Sequence, residues 1–131
     1  MQKKIEYAME LHNKGFNCAQ AVGMPFAEEL GMPLALAAKA LEGFGAGMGG
    51  RDRACGALSG AIFIAGLKYA DGNLEAPASK MGTYAVCKDL CDAFTAHCGS
   101  AICKTIKEEE KVSCSECIRY GVELAYNALN K

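Results

Sequence analysis

With 131 residues, 51% of them apolar, the chain has the material for one domain with a buried core. Its net charge is −1 and its cations form no basic stripe, which argues against nucleic acid as a partner. The longest apolar run, Ala57–Leu67, is interrupted by Ser59 and is too short for a membrane span.

A first amphipathic helix is predicted over Lys3–Lys14, with Ile5, Ala8, Met9 and His12 on one face. His12 reads as a polar residue at the edge of that stripe rather than a metal ligand. Asn17-Cys18-Ala19-Gln20 carries the cap of a second helix. Asn17 and Gln20 have capping-box spacing, which puts Cys18 at the first helical position. Ala21, Val22, Phe26 and Leu30 form the apolar face, and Pro25 interrupts the backbone bonding. Pro33 is expected to open a third helix, with Leu34, Ala37, Ala38 and Leu41 inward and Gly43 at its end.

The segment 43–60 reads GFGAGMGGRDRACGALSG. Gly45, Gly47 and Gly49 free the backbone for positive φ, so that loop amides can turn toward a bound group, and Gly56 lies beside them. The loop lacks the preceding strand and the Gly-Lys-Ser/Thr of a phosphate-binding loop. Cys55 falls at the first turn of the next helix, Cys55–Ala70. That helix is apolar on nearly every face and is expected to be the buried centre. Gly56 and Gly60 give it a flat side for close packing. Arg51 and Arg53 stand just before Cys55.

Asp71-Gly72-Asn73 is a turn signal. A long helix is predicted over Pro77–Cys98, with Tyr84, Cys87, Cys91, Phe94 and Cys98 on one face, Cys87 and Cys91 as small core residues and His97 at the surface. Ser100 is read as the cap of a short helix holding Ile102, Cys103 and Ile106. Lys107–Lys111 reads as a charged, solvated loop. Ser113-Cys114-Ser115-Glu116 has capping-box spacing, so Cys114 takes the first position of the last helix, with Cys117 three residues on. The expected fold is all-α: one domain, 1–131, of about six helices around a buried central one.

Eight cysteines dominate the chemistry. The opening MQKKIEYAMELH holds Glu6 and Glu10 and lacks the apolar core of a secretory signal, so a reducing, cytoplasmic setting is expected. Cys18, Cys55 and Cys114 fall at predicted helix starts, where amides and the helix dipole favour thiolate, with Cys103 one turn into another helix. Such thiols suit an iron–sulfur cluster or a tetrahedral zinc, and spacing alone does not choose between them.

These residues resemble the family of redox-active proteins named for the pattern C_GCAxxG_C_C, whose motif is a CGAxxG box. Here the box is Cys55-Gly56-Ala57-Leu58-Ser59-Gly60. Flanking matches are Asn17-Cys18-Ala19-Gln20-Ala21, the GFGAGMGG loop, Ser100–Cys103 and Cys114, so the resemblance runs from Asn17 to the last helix. It implies four characteristic cysteines, placed at Cys18, Cys55, Cys103 and Cys114, with Cys117 as the rival for the last place. It also implies bacterial or archaeal redox proteins, often encoded near transporters or oxidoreductases, with an iron–sulfur centre. A related domain occurs in split-Soret-type cytochromes, whose haem sits on added Cys-x-x-Cys-His motifs. Here Ile118 follows Cys117, so covalent haem is not expected.

The resulting expectation is an electron-transfer or redox-sensing protein with a [2Fe–2S] cluster on Cys18, Cys55, Cys103 and Cys114 or Cys117. Its redox partner protein is unidentified, and Gly/Ala helix faces leave a homodimer open. The alternatives are a thiol–disulfide protein that binds no metal, using Cys55 or Cys114, and a zinc-stabilised helical module.

Overall fold

The computed structural model describes residues 1–109 and 112–130. Among them the fold is all-α: α1 Gln2–Asn13, α2 Cys18–Ala27, α3 Leu34–Glu42, α4 Gly45–Met48, α5 Gly56–Tyr69, α6 Lys80–Cys98, α7 Cys103–Glu108 and α8 Cys114–Leu129. A 3₁₀ turn, Glu28–Leu30, follows α2.

The centre is a pair of helices rather than one. Helix α5 is buried on every face from Gly56 to Ala61, as its sequence predicts, but α2 is buried throughout Ala19–Ala27 as well. No charged residue falls in α2, so no face of it calls for water. The two helices meet over glycine. A Cβ on Gly60 would lie 2.7 Å from the Ala19 carbonyl oxygen and 3.0 Å from Val22 Cβ. Gly121 brings α8 equally close, since a Cβ there would stand 2.9 Å from the Ala57 carbonyl oxygen. Phe26, Leu58, Ile64, Phe94, Ile118 and Val122 fill the core around this contact. Each side chain of this size contributes about 1.5–3 kcal/mol by leaving water. Leu11, Met24, Ala37 and Leu41 make a smaller second core between α1, α2 and α3.

Several boundaries move from their expected places. Pro33 is the cap before α3, not its first residue. Helix α6 starts at Lys80 rather than Pro77, because the Asp71 carboxylate collects the amides of Asn73 and Ala78 and holds 71–79 in a loop. The outer half of the expected α6 stripe is core only in part, with Cys87 and Cys91 packed against the core cluster and Tyr84 outside it. Tyr84 is 60% exposed, Cys87 and Cys91 are half-buried, and burial is complete only at Leu90, Phe94 and Cys98. Of the expected charged loop, Lys107 and Glu108 belong to α7, while 110 and 111 lie outside the described residues.

His97 is exposed, as expected, but it is engaged. Its ring stacks on Tyr120 with centroids 3.9 Å apart, and its Nε2 meets Glu116 at 2.7 Å. Glu116 therefore does not complete the second capping box. Ser113 accepts the Glu116 amide, while the Glu116 carboxylate is taken by Arg119 and His97.

Candidate functional site

Four cysteines stand at helix starts. Cys18, Cys103 and Cys114 are the first residues of α2, α7 and α8, and Cys55 caps α5. Cys103 thus lies a turn nearer its helix start than the sequence suggests, with Ile102 as the cap.

Local structure fixes each one. At Cys18 the full capping box forms, with Asn17 Oδ1 accepting the Gln20 amide and Gln20 Oε1 accepting the Asn17 amide. Asn17 Nδ2 also donates to the Glu42 carbonyl and Gln20 Nε2 to the Ala38 carbonyl, which ties the start of α2 to α3. Cys55 and Cys103 are held by a short antiparallel strap that the helical periodicity did not reveal. The Cys55 amide donates to the Ala101 carbonyl at 2.7 Å, the Cys103 amide to Arg53 at 2.9 Å and the Lys104 amide to Arg51 at 2.7 Å. Ala54 and Ile102 form the bridge between the two stretches.

The glycine loop lies against this strap. Ala46, Gly47, Met48 and Gly49 are successive residues with positive φ, and Arg51 follows at φ 67°. Left-handed backbone costs a non-glycine residue about 1–2 kcal/mol, so Ala46, Met48 and Arg51 hold this loop against a local preference. Two glycines give the loop its close fit. A Cβ on Gly47 would stand 2.8 Å from Cys103 Cβ and 3.1 Å from the Arg53 carbonyl oxygen. One on Gly56 would overlap the Cys18 sulfur. Gly45 is packed against the Asn17 side chain, whereas Gly49 faces open space.

The result is a cavity of about 150 Å³ whose walls include Cys18, Cys55, Cys103, Cys114 and Cys117. All five candidate thiols reach this one space, and Cys87, Cys91 and Cys98 do not line it. His12 lines it too, although its sequence position spoke for a stripe edge. Its Nδ1 lies 3.2 Å from the Phe16 carbonyl oxygen, a partner that requires Nδ1–H as donor. Only the outcome of the fold could show this, because the turn at Gly15 brings α1 back over the start of α2.

Electrostatically the thiols differ from expectation. Helix starts were expected to favour thiolates, yet Cys18 and Cys55 are held neutral. Cys18 donates to the Cys55 sulfur, and that bond, followed by burial, raises its pKa far above the ordinary value. Cys55 is pushed up to about 12, first by donating to Cys117 and further by burial. Cys98 continues this row beside Cys117, and burial raises its pKa. Burial also raises Cys103, against the pull of the Lys107 charge. The helix-start amides do act in the expected sense, with Ala46 and Ala19 N–H groups on the Cys18 sulfur and Ala57 N–H on that of Cys55, but thiol–thiol bonding outweighs them.

Among the described residues no three His, Cys, Asp or Glu side chains converge on a point that would hold a single ion. The sulfurs surround a space instead. No helix among the described residues is long and apolar enough to cross a membrane.

No curated protein and no solved structure matches the chain. A family model does, over residues 16–128, which take in the helix-start cysteines, the glycine loop and the strap. The chain belongs to the family described as "Putative redox-active protein (C_GCAxxG_C_C)".

Proposed function

We propose that the cavity holds a cysteine-ligated iron–sulfur cluster and that the protein transfers electrons or senses redox state through it. The observation that carries this reading is the meeting of five thiols around one cavity, drawn from the starts of four helices. Soft thiolates select iron–sulfur centres and zinc among the common metals. Four such thiolates suit either centre, and the redox-active family to which the chain belongs favours the iron–sulfur one.

Cys18, Cys55 and Cys103 are the inner ligands in this reading, with Cys114 or Cys117 the fourth. When bound, such a cluster supplies one-electron chemistry. The chain's own residues set its surroundings. The Ala46 and Ala19 amides already point at the Cys18 sulfur and the Ala57 amide at that of Cys55, and hydrogen bonds to ligand sulfurs raise the potential of a centre. Ile106 and Val112 keep one wall apolar. The thiol protons, now shared along the Cys18–Cys55–Cys117 row, must leave on loading, so uptake is expected to release protons and to be faster at higher pH.

The test is anaerobic purification, a visible spectrum, and iron, sulfide and zinc analysis of the wild type and Cys55→Ser. Iron with acid-labile sulfide, lost or altered in Cys55→Ser, supports the reading. Zinc without colour would replace it with a structural site.

A second reading has one observation of its own. Cys114 is exposed at the start of α8 while Cys117, three residues on, is buried, which is the layout of an attacking and a resolving thiol. A metal-free protein that reduces a model disulfide, and loses that activity in Cys114→Ser, would favour it.

A further inference from the structure

The strap that fixes Cys55 and Cys103 in the cavity wall also carries exposed cations. It sets Arg51 beside Lys104 and Arg53 beside Cys103. Lys107 lies one turn further along α7 and lines the cavity itself. All four cations are exposed. Asp52 pairs with Arg53 at 2.8 Å, and with Glu108 and Glu109 counted the four cations still exceed the described acids of these segments by one, on a chain whose net charge is −1. Glu108 and Glu109 follow Lys107 at the far end of α7.

Three large apolar side chains are exposed on the loop and strap that carry these cations. Phe44 is 36% exposed, Met48 48% and Ile102 38%. They belong to the same region, since the Met48 amide reaches back to the Phe44 carbonyl, Gly47 abuts Cys103, and Ile102 pairs with Ala54. Met48 and Arg51 both have positive φ in a stretch already rich in glycine. Glycine at either place would relieve the backbone, and neither side chain is buried in return. Their side chains are therefore outward-facing features that the core does not require.

We propose that this face docks the acidic surface of a partner redox protein, with Phe44, Met48 and Ile102 as its apolar centre and Arg51, Lys104 and Lys107 as its cationic rim. The partner's redox character rests on the reading above; its acidity rests on the face. Charge complementarity speeds encounter and selects partners, and a small apolar centre suits a complex that must also separate. Lys107 of this rim also lines the cavity, and the strap that carries Arg51 and Lys104 holds Cys55 and Cys103 in its wall, so the docked partner sits close to these thiols.

The test uses the purified full chain and a fluorescein-labelled peptide of repeating Glu-Glu-Leu, read by anisotropy at low salt. A Lys-Lys-Leu peptide is the control. The acidic peptide is expected to bind, and Arg51→Glu with Lys104→Glu to weaken it about tenfold or more, as reversal of a charged rim does. Lys80→Glu, at the far end of α6, is expected to leave binding unchanged. Met48→Gly is expected to raise the melting temperature while weakening the peptide, a pair of effects that a purely structural Met48 would not give. Equal binding of the two peptides, or binding untouched by the double reversal, would overturn the proposal. So would a single-stranded oligonucleotide that binds as tightly as the acidic peptide. Iron analysis of the same samples separates the two ideas: peptide binding without iron removes the cluster alone, and iron without peptide binding removes the docking face alone.

Discussion

The sulfur of Cys18 sits where a side chain on Gly56 would be. A methyl group there overlaps that sulfur and lies 3.1 Å from the Ala19 amide nitrogen and 3.2 Å from Gly45 Cα. Gly56 is the first residue of α5, where helix propensity alone would reward alanine by about 0.5–1 kcal/mol. The overlap reverses the sign. Gly56→Ala is expected to lower stability by about 1–3 kcal/mol, as overpacking does, and to displace Cys18 from the cavity. Thermal denaturation with iron analysis checks both. A more stable protein with its metal content unchanged would show that the contact yields freely.

Two other glycines separate backbone conformation from crowding. Gly47 and Gly49 both have positive φ, at 59° and 83°, but only Gly47 has neighbours where a Cβ would go. Gly49→Ala should cost about 1–2 kcal/mol, the left-handed penalty alone. Gly47→Ala should cost more and should disturb Cys103, whose Cβ lies in the way. Equal denaturation midpoints for the two variants would contradict the fit of the loop on the strap.

The cavity divides the cysteines into two groups. Cys87 and Cys91 lie on α6 away from it, so Cys87→Ser and Cys91→Ser are expected to retain the iron and the spectrum of the wild type. Cys103→Ser is expected to lose them. Loss of iron in Cys87→Ser at unchanged stability would mean that the ligand set has been drawn wrongly.

Glu116 predicts an acid limb of stability. Arg119 first, and then His97, hold its carboxyl at about 2, against an ordinary 4.5. The folded form therefore prefers the ionised group. The contribution is complete above about pH 5 and is lost as pH falls through the folded value. The side chains are about a third exposed, so the pair is worth no more than about 1 kcal/mol. Glu116→Gln should lower the melting temperature at pH 7 and leave it nearly unchanged at pH 2. An equal loss at both pH values would show that packing, not charge, is what the residue provides.

Much of this molecule is written in local sequence. The Asn17–Gln20 capping box forms in full and places Cys18 at a helix start, because cap chemistry is settled within a few residues. The burial of α5 follows equally from its unbroken apolar composition. The partner of α5 could not be read in the same way, since α2 is surrounded only when α1, α3, α5 and α8 close upon it. The outer part of α6 shows the converse: Tyr84, Cys87 and Cys91 keep helical spacing, but Tyr84 is left largely exposed. The convergence of the cysteines is legible in part. Helix starts name Cys18, Cys55 and Cys114, whereas the strap that brings Cys103 to Cys55 is a pairing between distant segments with no periodic signal. The ionisation of the thiols was misread for a related reason. A helix start acts on one residue, but Cys18, Cys55 and Cys117 meet only in the folded chain, and their mutual hydrogen bonds decide the outcome.

The strap has a further consequence in time. Cys55 and Cys103 stand on either side of α6, so the pairing of 51–55 with 101–104 closes a loop containing that whole helix. Closing a long loop is slow relative to forming its helices, and contacts of this kind come late in folding. The donor set therefore does not exist on the nascent chain. It is complete only once the two distant segments of the strap have paired, which brings Cys103 to Cys55.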